Sequence, residues 1–155
     1  MELHLPTALH EAMRQAAEQA YPHEMCGLLV GAALPDGGGW QVTAWHQTAN
    51  LHPSPHRHFL IDPSAHLALR RRLRQEQPAL TVIGHVHSHP NGRAMPSPTD
   101  RALIGDPALV WLVLGVRDAR LVDSLAWRPD PTERRGFAPL TLCPPTISRE
   151  DEKTS

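Results

Sequence analysis

The chain predicts an α/β fold: one mixed, mostly antiparallel, curved sheet flanked by helices. Two observations carry this expectation. Segments with apolar residues at helical spacing alternate with short apolar runs, in the order helix, hairpin, strand, helix, strand, short helix, hairpin. The short runs are bounded by Gly, Pro and Asp clusters that turn one strand back on the next.

Pro6 to Ala20 carries Leu9, Ala12, Met13, Ala16, Ala17 and Ala20 on one helical face, and Pro22 closes it. Cys26 to Leu34 reads as a buried strand, Pro35 to Gly39 as a turn, and Trp40 to Thr48 as the hairpin partner. A Pro- and His-rich loop follows, Asn50 to Arg57. A short strand, HFLI, then leads to Asp62-Pro63, an N-cap with proline at the first helical position. That helix runs to Gln77, with Leu67, Leu69 and Leu73 against an outer face of Arg70, Arg71, Arg72 and Arg74. Leu80 to Ser88 is a strand, and Ser97-Pro98 opens a short helix to Ile104. Ala108 to Val116 and Arg120 to Trp127 form a hairpin around Asp118-Ala119, and Phe137 to Leu142 adds an edge strand. Residues 1–143 therefore form a single domain, and residues 144–155 a charged tail expected to be disordered.

Composition narrows the function classes. Lys and Arg number 15 against 16 Asp and Glu, so no basic excess points to a nucleic-acid partner. Two cysteines without a CxxC speak against a disulfide framework and for a reducing, cytoplasmic setting. The first residues carry Glu2, His4, His10 and Glu11 where a signal peptide needs an apolar run. The longest apolar run, Ala108 to Val116, is too short to span a bilayer, so no membrane partner is expected.

The chemistry gathers in GHVHSHPNGRAMPSPTD, Gly84 to Asp100. Strand alternation sends His85, His87 and His89 to one face, and Pro90 stops the ladder. Two imidazoles at i and i+2 can converge on one cation, and a catalytic zinc needs one further protein ligand. Asp100, in the first turn after Ser97, can supply it. The same S-x-x-D is also a capping-box pattern that needs no metal, and both readings can hold together. Glu24, in the link between the first helix and the first buried strand, is the candidate base, or else an exposed loop charge.

Glu24, His87-Ser88-His89-Pro90, Ser97 and Asp100, with YPHEMCGLLVG, HFLIDP and SPTDRAL around them, resemble the JAMM (MPN+) motif of the JAB-domain zinc metalloproteases. The resemblance covers roughly Leu3 to Trp127 and is closest to the compact prokaryotic members. It implies a JAB/MPN-like, cytidine-deaminase-like fold with Zn2+ held by His87, His89 and Asp100 and with water as fourth ligand. It implies Glu24 as general base and Ser97 as hydrogen-bond donor to the oxyanion of the tetrahedral intermediate. No ligand role transfers to His85, for which packing or support of a ligand is the expectation. His52, His56 and His58 are expected to be solvated, and Cys26 to be a buried small hydrophobe.

The resemblance further implies hydrolysis after a C-terminal Gly-Gly. Some sixty residues separate Glu24 from His87, which leaves little space for the insertions that grip ubiquitin chains. The expected partner is a small β-grasp ubiquitin-like or sulfur-carrier protein, joined through its Gly-Gly tail to cysteine or lysine. Its tail is expected to dock along an exposed sheet edge. The alternatives are a metal-dependent nuclease or DNA-repair accessory protein, and a non-catalytic zinc-binding module. The charge balance argues against the former and Glu24 against the latter, since a structural zinc needs four protein ligands and no base. A deaminase lacks support because no P-C-x-x-C occurs.

Overall fold

The structure, a computed structural model, describes residues 1–143; the expected tail at 144–155 lies outside them. The elements are β1 (Glu2–His4), α1 (Thr7–Ala20), β2 (Cys26–Ala33), β3 (Gly39–Thr48), α2 (Pro63–Glu76) and β4 (Thr81–His89). They continue as α3 (Pro98–Ala102), β5 (Val110–Arg117), β6 (Arg120–Pro129) and β7 (Phe137–Cys143). This is the mixed sheet with flanking helices that the sequence predicts.

Two expectations are corrected. The strands are ordered β1-β3-β2-β4-β5-β6-β7, and β1 pairs in parallel with both β3 and β7, so the sheet closes on itself. Phe137–Cys143 is therefore an interior strand, paired with β6 and β1, whereas β1 covers only Gly39–Gln41 of β3 and leaves Val42–Thr48 paired with β2 alone. The second correction is HFLI, which forms no strand. The Asn50 side chain takes up its backbone instead: Asn50 Nδ2 donates to the His58 carbonyl at 2.9 Å, and the Leu60 amide donates to Asn50 Oδ1 at 3.0 Å.

The two faces of the sheet carry separate cores. On one face α1 lays Met13, Ala16 and Ala17 against Leu29, Val86, Leu112 and Leu114. On the other, α2 packs Leu69 and Leu73 onto Leu28, Val30 and Val82. Burying a leucine of this kind contributes about 1.5–3 kcal/mol. The cap of α2 forms as expected, with Asp62 Oδ1 accepting from the Ser64 amide at 2.9 Å and Pro63 in the first turn.

One irregularity decides where the histidines point. Leu29 pairs with Gly84 but Val30 pairs with Val82, so Ile83 is an extra residue, a β-bulge. Ile83 and Val86 both face α1 even though they lie three positions apart, an odd spacing. Downstream of the bulge, His85, His87 and His89 lie on the α2 face, whereas strict alternation from Val82 would turn them inward.

Candidate metal centre

The centre forms where the end of β4 meets the start of α3. Ser97 caps α3: its Oγ accepts from the Asp100 amide at 3.1 Å, and Asp100 Oδ2 accepts from the Ser97 amide at 2.8 Å. This capping box fixes the Asp100 carboxylate in a buried position. Its oxygens lie 3.4 Å from His87 Nε2 and 3.1 Å from His89 Nε2. The two imidazole nitrogens are 3.0 Å apart. The turn after β4 brings this about, with Gly92 at φ +80° and its amide bonded to the His89 carbonyl. A Cβ on Gly115 would lie 2.3 Å from the Gly92 carbonyl oxygen, so only glycine lets this loop cross β5.

The donor set fits a divalent cation. His89 donates its Nδ1 proton to the Arg93 carbonyl at 2.8 Å, which leaves the Nε2 lone pair facing His87 and Asp100. His87 is fully buried, and its Nδ1 has no partner among the described residues. Burial lowers the His87 pKa, against the pull of the Asp100 carboxylate. At His89 burial opposes charge, but the Asp100 and Glu24 carboxylates outweigh it and raise the pKa. Burial also works against ionisation of Asp100, yet His87 and His89 hold its carboxyl far below the usual range. Nε2 of both imidazoles and the Asp100 carboxylate converge on one point, and a metal ion that displaces any proton held there would satisfy the cluster.

Glu24 stands beside this cluster and is buried, not an exposed loop charge. Ligand atoms of Glu24, His87 and His89 lie within 4.8 Å of one another. Asp100 is nearer to both imidazoles, so it is the inner carboxylate and Glu24 the outer one. Burial, with Asp100 adding to it and His89 opposing, pushes the Glu24 pKa up to about 7. Backbone bonds hold the segment: the Glu24 amide donates to the Pro55 carbonyl at 2.7 Å, and Asn50 Nδ2 donates to the Glu24 carbonyl at 3.0 Å. Ser88 bonds the neighbouring Met25 in both directions. Residue type and spacing assign no role to Ser88 or Asn50. The signal at Ser88 was its place between two candidate ligands, pointing to the opposite face.

His85 is buried, its ring against Trp111 with centroids 4.3 Å apart and Phe59 at 5.2 Å. Burial pushes its pKa down to about 3, so it is neutral. Phe59 also stacks on His87 at 4.3 Å. His85, Phe59 and Trp111 form one wall of a cleft of about 780 Å³ that runs between α2 and the segment after α3. Of the loop histidines, His56 is exposed as expected. His52 and His58 are half-buried, pack together at 4.7 Å and line the cleft. Cys26 is buried beside Phe59 and Trp111, as expected.

Comparison with known proteins places this geometry. The family described as prokaryotic homologs of the JAB domain matches residues 6–130. The chain belongs to this prokaryotic JAB family. A protein of Desulfitobacterium hafniense with a solved structure is 29% identical and superposes with a TM-score of 0.76, covering 92% of each chain. A JAB1/MPN domain protein from Archaeoglobus fulgidus, 17% identical, shares the fold with a TM-score of 0.54 over 92% of this chain and 98% of its own. Two curated relatives are similar over part of their length. A desampylase of Haloferax volcanii is 31% identical over 64% of this chain and 68% of its own. A probable TtuB-protein conjugate cleaving protease of Thermus thermophilus is 35% identical over 63% and 60%. No described helix is long and apolar enough to cross a membrane.

Proposed function

We propose that this JAB-family protein is a zinc-dependent isopeptidase. It hydrolyses the bond after the C-terminal Gly-Gly of a small β-grasp ubiquitin-like or sulfur-carrier protein attached to cysteine or lysine. The observation that carries the reading is the convergence of His87, His89 and Asp100 beside a buried Glu24. The names of two relatives, a desampylase and a probable TtuB-protein conjugate cleaving protease, support a protein conjugate as the substrate class.

In this reading His87, His89 and Asp100 hold Zn2+. The ion supplies Lewis acidity toward the scissile carbonyl and makes water acidic enough to be activated at neutral pH. Glu24 takes the proton from the attacking water and passes it to the leaving amine or α-amino group, a role its raised pKa suits. Ser97 accepts the Asp100 amide bond through Oγ, which leaves its hydroxyl proton free to stabilise the developing oxyanion. Capping and oxyanion stabilisation then coexist in one side chain.

The substrate tail needs a backbone partner beside the centre. Among the described residues, Phe59 and Ile61 make no backbone hydrogen bond to another residue, and both line the cleft beside His87. The His58–Ile61 segment is therefore the rail for the tail, with the small glycines at the metal end. Incubation with a β-grasp protein joined through Gly-Gly to lysine or cysteine tests the reading, with a ubiquitin chain as comparison. Cleavage of the small-carrier adduct by wild type and not by His89→Ala is expected. Inert carrier adducts with an intact metal centre would overturn the substrate.

A further inference from the structure

The seam that closes the sheet gathers a second set of metal-binding side chains. β1 and β7 pair in parallel, with Glu2 beside Thr141 and His4 beside Cys143. Leu3, Leu140 and Leu142 from these strands join the core. Alternation therefore puts Glu2, His4 and Cys143 together on the outer face. Their ligand atoms all lie within 4.8 Å of one another, and His4 Nε2 is 2.7 Å from Glu2 Oε2. We propose that Glu2, His4 and Cys143 form a second zinc-class site that clamps β1 to β7.

The donor set selects the ion. Carboxylate, imidazole and thiolate together suit zinc and related transition ions, while the thiolate disfavours magnesium and calcium. Cys143 is a free thiol at a half-exposed position, which an ion can reach. Burial, with the Glu2 carboxylate adding to it, raises the thiol pKa, so binding releases a proton from Cys143. The described residues supply three donors, one fewer than a closed structural zinc cage, so this ion should be held more weakly and exchange more readily. The mechanical role follows from topology. β1 has three residues and is the strand that joins β3 to β7, so closure of the sheet rests on two short ladders. A cross-link from β1 to Cys143 reinforces the β1–β7 side of that junction.

The test uses the full chain carrying His87→Ala and His89→Ala, titrated with Co2+ and then Zn2+. One equivalent should still bind, with a thiolate-to-cobalt charge-transfer band. Adding Cys143→Ser should remove both. Zinc should raise Tm by roughly 2–8 °C in the parent variant and not after Cys143→Ser. A parallel measurement in the wild-type background covers the case where the double variant misfolds: Cys143→Ser, or His4→Gln with circular dichroism as a fold check, should lower bound zinc from two equivalents to one. Absence of the thiolate band, its survival after Cys143→Ser, or unchanged zinc content in the wild-type background would overturn the proposal.

Discussion

Ser88 and Met25 bond each other twice: the Met25 amide donates to Ser88 Oγ at 2.8 Å, and the Ser88 amide donates to the Met25 carbonyl at 2.9 Å. The residue between the two histidines thus ties β4 to the segment that carries Glu24. Ser88→Ala strips the buried Met25 amide of its acceptor, which costs about 1–3 kcal/mol. Denaturant unfolding should show that loss. Zinc content should stay at the wild-type level while kcat falls, because the base loses its anchor and the ligands do not.

Glu24→Gln separates the base from the ligands more sharply. The amide is isosteric and Glu24 is the outer carboxylate, so fold and metal content should persist. General acid–base catalysis is typically worth ~10²–10⁴-fold. Steady-state assays on a carrier adduct should show kcat down by that order with KM little changed. Wild-type turnover by this variant would sink the assigned role.

At the inner ligands the expected phenotype is loss of metal. His89→Ala and Asp100→Ala should each release the zinc held at this centre, read by metal analysis after dialysis. Chelation of wild type should abolish cleavage, and added zinc should restore it. Retention of that zinc by a His87→Ala, His89→Ala double variant would refute the ligand set.

His85 should behave differently from its two neighbours. Its buried Nε2 has no partner among the described residues, and its ring packs against Trp111 and Phe59. His85→Leu removes an unsatisfied polar group while filling much of the same volume, a change that is often neutral or stabilising. Tm should be unchanged or higher, with zinc and most activity kept. Zinc loss as complete as that of His89→Ala would mean that the wrong pair on this strand was chosen.

Much of the site is legible in the sequence because its chemistry is local. His87, His89, Ser97 and Asp100 fall within one strand, one turn and one capped helix, and each step has its own signature in residue type and spacing. Glu24 is legible only as a candidate, since nothing local shows that Pro55, Asn50 and Ser88 will hold it inside. The HFLI strand fails for a related reason. Its β-type composition is real, but the long-range partner it finds is the Asn50 side chain and not a neighbouring strand. Glu2–His4 is too short for any periodicity, so closure of the sheet cannot be read before the structure is known. Elements with their own cores, α1 and α2, are placed within a residue or so.

The bulge at Ile83 acts as a parity bit for the whole centre. Holding the extra residue of β4 in a bulge keeps the three imidazoles on the α2 face; strict alternation through it would drive them into a leucine- and valine-lined interior. Deleting Ile83 should leave Val82 and Gly84 opposite Val30 and Leu29 in one regular ladder, with the imidazoles still on the α2 face. One further residue inserted between Ile83 and Gly84, with no second bulge to hold it, reverses their side and should give an intact motif and no site. Compensation would have to come from a single-residue deletion beside it, not from any adjustment at the ligands. In this fold the motif specifies which atoms meet, and a residue that touches none of them specifies on which side of the sheet they do so.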